Sequence, residues 1–152
     1  MLSLNHELGD VRFAAIASTM LGEVKRILGN DSRAATLLCE GLASHLAVGD
    51  RASIDMSLRR IATLAVPTRP DVAARLLGVA DALRDVLGSG QPPSHHSDDD
   101  DLLVGVHARL SADDVEANLA AGRANSGGSH QGGARDGGGT GRHAGHRATS
   151  LA

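Results

Sequence analysis

Eight histidines and a run of four aspartates are the side chains of this sequence best suited to hold a metal or move a proton. His95-His96 stand just before Asp98 to Asp101, and His130, His143 and His146 follow near the C-terminus. A flexible cluster of that kind could take up nickel or zinc with low specificity. The spacing prescribes no geometry, however. No His-Glu-x-x-His helix is present, and the aspartate run lacks the glycine that an EF-hand loop needs at its sixth position. A solvated acidic helix start, with Ser97 as its cap, accounts for the run more simply. No defined metal site and no cofactor is expected, and low-specificity metal binding through the histidines stands as the alternative function.

The remaining reactive residues do not assemble a catalytic set. His45 and His107 fall in separate helical segments, and no Gly-x-Ser-x-Gly elbow supplies a nucleophile. Lys25 is the one lysine among fifteen basic residues, and it follows Val24, so there is no Walker-type phosphate loop. Gly139-Thr140-Gly141-Arg142-His143-Ala144 fits the letters of a dinucleotide fingerprint, yet no strand precedes it and no amphipathic helix follows. Cys39, the single cysteine, excludes an internal disulfide and a Cys-x-x-Cys pair. Its apolar helical surroundings predict a small buried filler. The chain reads as a protein without enzymatic activity.

Composition narrows the class further. The 152 residues contain no Trp, no Tyr and only Phe13, which argues against aromatic stacking platforms and favours a core of Leu, Ile, Val and Ala in helices. The N-terminus has no basic start followed by an apolar run, and no stretch nears the ~20 apolar residues of a membrane span, so a cytoplasmic protein without membrane contact is expected. From Asn125 to Ala152, nine of twenty-eight residues are glycine and Leu151 is the one large aliphatic. Such a segment cannot offset its ordering entropy and reads as a disordered tail. The tail carries a net +2, which leaves −5 of the overall −3 on the body. An acidic body is not built to bind a phosphate backbone, so no direct nucleic-acid contact is expected.

Glycine and proline punctuation divides the body into helices. Phe13, Ile16, Ala17, Met20, Val24 and Ile27 form one apolar stripe on a helix over about 10–28, expected to face the core. Gly29-Asn30-Asp31 stops it and caps a second helix, to about Val48, with Ala34, Leu37, Leu38, Leu42 and Leu46. Gly49-Asp50 repeats the arrangement for a third helix over 51–65 carrying Ile54, Leu58, Ile61 and Ala65. Pro70 opens a fourth, with Val72, Leu76, Ala80, Leu83 and Leu87. Leu102, Leu103, Val106 and Leu110 then mark a fifth helix. Ser111-Ala112-Asp113-Asp114 caps a short sixth with Val115 and Leu119.

The pattern recurs at an offset of forty residues. Gly9 meets Gly49, Asp10 meets Asp50, Ile16 meets Met56, Leu21 meets Ile61 and Val24 meets Leu64; Asp31 meets Asp71, Ala34 meets Ala74, Leu37 meets Leu77 and Leu46 meets Val86. Caps and apolar positions agree together, as in two copies of a helix hairpin. The expected organisation is two hairpin repeats over 1–90, a Pro-containing linker over 91–97, a capping helix pair over 98–124 and the tail over 125–152.

At residues 74 to 88 the string Ala-Arg-Leu-Leu-Gly-Val-Ala-Asp-Ala-Leu-Arg-Asp-Val-Leu-Gly resembles the C-terminal helical-repeat region of large, mainly actinobacterial, LuxR-type and related ATPase transcriptional regulators. Gly49-Asp50, Pro92-Pro93, Ala108-Arg109-Leu110 and Ala121-Gly122-Arg123-Ala124 match that region's other pieces in order. The resemblance implies an all-α fold of tetratricopeptide-like antiparallel hairpins, stacked as a short right-handed superhelix that senses ligands or partners. The nucleotide-binding domain and the basic helix–turn–helix of those regulators have no counterpart here, which suggests a fragment or stand-alone remnant. The function expected is a non-catalytic protein-interaction or regulatory module. Its inner groove, lined by the first helix of each hairpin, would take a protein or peptide partner through Arg12, Ser18, Thr19, Arg59 and Arg60.

Overall fold

Capping chemistry sets where the helices begin. In the computed structural model, which describes residues 2–88 and 93–127 and the side chains of 6–88 and 98–126, six helices and no strand occur among the described residues. They are α1 Leu2–Ile27, α2 Asp31–Val48, α3 Arg51–Ala65, α4 Pro70–Leu87, α5 Pro93–His107 and α6 Ala112–Gly127. Asn30 Oδ1 accepts the Arg33 N–H at 3.2 Å, and Asp50 Oδ1 accepts the Ser53 N–H at 3.3 Å. At α6 the exchange is reciprocal: Ser111 Oγ accepts from the Asp114 N–H at 3.1 Å and donates to Asp114 Oδ2 at 2.7 Å. Gly49 and Gly88 close α2 and α4 in the left-handed conformation, at φ 68° and 61°, where a side chain would be strained.

Three boundaries differ from expectation, the first being the end of α6, which reaches Gly127 where the tail was expected from Asn125. α1 begins at Leu2 rather than near residue 10, so Gly9 and Asp10 lie inside a helix while Gly49 and Asp50 separate two. α5 begins at Pro93, which has no N–H to leave unpaired in a first turn. Ser97 is therefore not a cap, and Asp98 to Asp101 occupy the middle of α5 rather than its start.

Consecutive helices pack in pairs, α1 with α2 and α3 with α4, with α2 joining the pairs by packing on α3. The last two helices do not form a third pair of that kind. α6 lies along α4, whereas α5 touches α3, α4 and α6 only lightly. α6 runs parallel to α4 at close range, with Asn118 beside Arg75 and Arg123 beside Asp81. A Cβ on Gly78 would strike the Leu119 carbonyl oxygen, and one on Gly122 would strike the Arg75 carbonyl oxygen.

The main core lies where α3 to α6 converge, around Ala62, Val66, Ala73, Ala74, Leu77, Leu102, Val106 and Val115. A second cluster joins Ile54, Leu58 and Ala80. α4 is buried on two sides, by α3 and by α6. Its buried residues are consequently Ala73, Ala74, Leu77, Gly78 and Ala80, and of the stripe expected for it only Ala80 is fully buried.

The apolar stripe of α1 does not face the core. Phe13 is 75% exposed, Met20 60% and Ile27 69%, and Ile16 and Val24 are exposed as well. α1 instead buries Ala15, Thr19 and Gly22 against α2. The reason is reach. Leu38 packs where a Gly22 side chain would stand, 2.8 Å from that position, and Thr19 fills the place of a side chain on Gly41. Small residues on both helices let the backbones approach more closely than Phe, Ile and Met allow. Cys39, expected to be buried, is exposed. It lies about 100° around α2 from Leu38, outside the face formed by Ala34, Leu37, Leu38, Gly41 and His45.

Candidate functional site

The acidic run is built into the fold by one of its members. Asp99 points inward to Arg59, a residue only 8% exposed, with its Oδ1 at 2.7 Å from the guanidinium Nη1. Asp55, one turn back on α3, takes the Arg59 Nε–H at 3.1 Å, and Asp81 of α4 takes Nη2 at 2.8 Å. Arg84 spans the same carboxylates, at 3.0 Å from Asp55 and 3.5 Å from Asp99. Arg123 of α6 stands 3.6 Å from Asp81. Three arginines and three aspartates thus balance in charge and tie α3, α4, α5 and α6 together. Burial disfavours the charge on Arg59, but the hydrogen bond to Asp81 and the fields of Asp55, Asp99 and Asp81 outweigh it and raise its pKa.

Beside this network α1, α3 and α5 enclose a cleft of about 490 Å³, within the ~300–1,000 Å³ range of ligand clefts. Met56, Val66 and Leu102 give it an apolar floor, and Arg60, Asp98 and Asp101 line it as well. Asp98 and Asp101 are exposed and Arg60 is half-buried. Arg26, at the α1 end of the cleft, is engaged by Glu23 at 2.6 and 3.1 Å. That hydrogen bond lowers the Glu23 pKa against the opposing effect of burial, and Arg60 lowers it further. Arg60 makes no hydrogen bond or ion pair among the described residues, which leaves its donors available to the cleft.

Of the five residues expected to contact a partner, Arg59 and Arg60 line this cleft and Arg12, Ser18 and Thr19 do not. Arg59 belongs to the ion network and offers no open guanidinium. Thr19 is buried between α1 and α2, where its hydroxyl donates to the Ala15 carbonyl at 2.9 Å and lies 3.4 Å from His45 Nε2. Ser18 is half-buried. Arg12 is exposed near Asp50. Burial pushes the Asp50 carboxyl up, but hydrogen bonds from the Ser53 hydroxyl and N–H, with His45 and Arg12 nearby, hold it below the usual carboxylate value.

The histidines are dispersed. His45 is buried, with Nδ1 4.0 Å from Asp50, and His107 is exposed. His6 meets Asp10 at 3.1 Å on the surface. No three potential metal ligands converge among the described residues. The side chains of His95 and His96, and all of His130, His143, His146, the fingerprint letters at 139–144 and the tail from 128 onward, lie outside the described residues.

Sequence reasoning can find Asp55 and Arg59 as neighbours, because residues four apart share a helix face. It missed Asp81, Arg84 and Asp99, whose partnership depends on how α4 and α5 pack. No family model, no curated protein and no solved structure matches this chain.

Proposed function

We propose that the chain is a non-catalytic protein-interaction module whose cleft between α1, α3 and α5 binds an extended polypeptide segment. The observation that carries this reading is the placement of Arg60, half-buried and without a hydrogen bond or salt bridge among the described residues, in an apolar-floored cleft with Asp98 and Asp101. A segment with a carboxylate toward Arg60, a basic residue toward the aspartates and an apolar side chain between them is complementary to such a cleft.

In this reading α1–α2 and α3–α4 are tetratricopeptide-like hairpins of a short right-handed superhelix. Positions forty residues apart support it: Ala34 and Ala74 are both buried, as are Leu37 and Leu77, whereas Ile16 and Met56, and Leu46 and Val86, are all exposed. The module then acts in the cytoplasm without touching nucleic acid itself, as a regulatory remnant similar to the sensor region of the LuxR-type regulators that residues 74 to 88 resemble.

Selection of displayed random peptides on the full chain tests the reading. Enriched peptides should carry the acidic, apolar, basic order, and Arg60→Glu should weaken their binding at least tenfold, about 1.4 kcal/mol. Failure to enrich any peptide, or binding indifferent to both Arg60→Glu and Asp101→Lys, overturns it.

A further inference from the structure

The exposed face of α1 is a second and separate surface. Phe13, Ile16, Met20, Leu21, Val24, Ile27 and Leu28 all stand out of the fold by 41% or more. At roughly 150 Å² for a large apolar side chain and these exposures, they present on the order of 600 Å². That is at the upper end of the largest patch on a typical monomer, ~300–600 Å², and near the ~800 Å² that each partner contributes to a standard interface.

Nothing in the rest of this sequence is suited to cover the face. Residues 89–92 are Ser-Gly-Gln-Pro, and 128–152 hold one large aliphatic, Leu151. The face itself indicates a second copy of this chain as its occupant. Five of its seven apolar positions are symmetric about Met20, which lies at the centre: Ile16 and Val24 lie four residues to either side, and Phe13 and Ile27 seven. A two-fold axis through Met20 sets Phe13 of one copy opposite Ile27 of the other and Ile16 opposite Val24, the self-complementarity an isologous contact requires.

Charge selects the same orientation. The amino-terminal part of α1 carries Glu7, Asp10 and Arg12, a net −1, and the carboxy-terminal part carries Glu23, Lys25 and Arg26, a net +1. Antiparallel helices oppose these unlike halves and their macrodipoles, whereas a parallel pair would oppose like with like.

We infer that the protein is a homodimer formed by antiparallel pairing of the α1 faces of two copies about a two-fold axis at Met20. The pairing uses neither Arg60 nor the acidic wall of the cleft, so it stands or falls independently of the peptide-binding reading.

Light scattering coupled to size exclusion at ~100 µM should give twice the 15.5 kDa chain mass. Met20→Asp should return the mass to one chain while leaving the helical circular dichroism and the thermal midpoint of the dilute protein unchanged, because Met20 takes no part in the core. Register is read in a Cys39→Ser background, which removes the exposed native thiol. There Met20→Cys should be joined between chains by a thiol cross-linker that spans the ~8–10 Å between paired helix axes. Phe13→Cys should not be, since its two copies lie about 21 Å apart along the antiparallel pair. A monomeric mass at that concentration, a dimer insensitive to Met20→Asp, or cross-linking through Phe13→Cys instead of Met20→Cys overturns the inference.

Discussion

Arg59 concentrates the electrostatics of the molecule in one side chain. Its guanidinium is engaged by Asp55, Asp81 and Asp99, drawn from three different helices. A buried charge that loses its partner is costly, and here the loss would leave three carboxylates facing one another with Arg84 and Arg123 to compensate. Arg59→Leu should therefore destabilise the fold by about 3 kcal/mol in urea unfolding at neutral pH; a loss below about 1 kcal/mol would mean that water screens the network. The double substitution Arg59→Leu with Asp99→Leu should recover part of the deficit, since it removes a carboxylate together with the cation. The Asp55 to Arg59 contact is legible in the sequence, because residues four apart share a helix face. The engagement of Asp99 is not, because an aspartate run carries no sign of which member turns inward.

At the scale of elements, glycine decides how closely helices meet. Gly78 and Gly122 bring α4 and α6 together so that a methyl group on either would run into a carbonyl of the other helix. Backbone cannot swing aside as a side chain can. Gly122→Ala gains about 1 kcal/mol in helix propensity, yet overpacking at such a contact costs about 1–3 kcal/mol. We expect a net loss of thermal stability, measured as a lower unfolding midpoint. An unchanged or higher midpoint would show that α6 stands farther from α4. The caps on α2, α3 and α6 were readable from Asn30, Asp50 and Ser111, since a short polar side chain before an amphipathic run has one favourable use there. The start of α5 was less so, because Ser97 satisfies the same rule four residues after Pro93.

For the molecule as a whole, acid is the informative stress. Glu23 and Asp50 both have carboxyls held below their ordinary values in the folded protein, the first by Arg26 against burial, the second by Ser53 against burial. A carboxyl with a depressed folded pKa stabilises the fold above its unfolded value, and that contribution is lost as pH falls through the folded value. Stability should thus be level above about pH 5 and fall below about pH 4, read as a decreasing urea midpoint. Asp50→Asn should flatten part of that acid limb. A midpoint that rises on acidification would contradict the assigned directions.

The sequence by itself determined that the chain is helical, where most helices are capped, and that it lacks a Walker loop and a Cys-x-x-Cys pair. These properties follow from residue types and spacings of at most a few turns. Only the tertiary structure decided which face of each helix is buried. Periodicity announces that α1 has an apolar side, but closeness of approach chose the side with Ala15, Thr19 and Gly22 for α2. The larger side chains were thereby left at the surface. A hydrophobic stripe states that burial is favourable and does not state against what; that choice belongs to the geometry of neighbouring backbones.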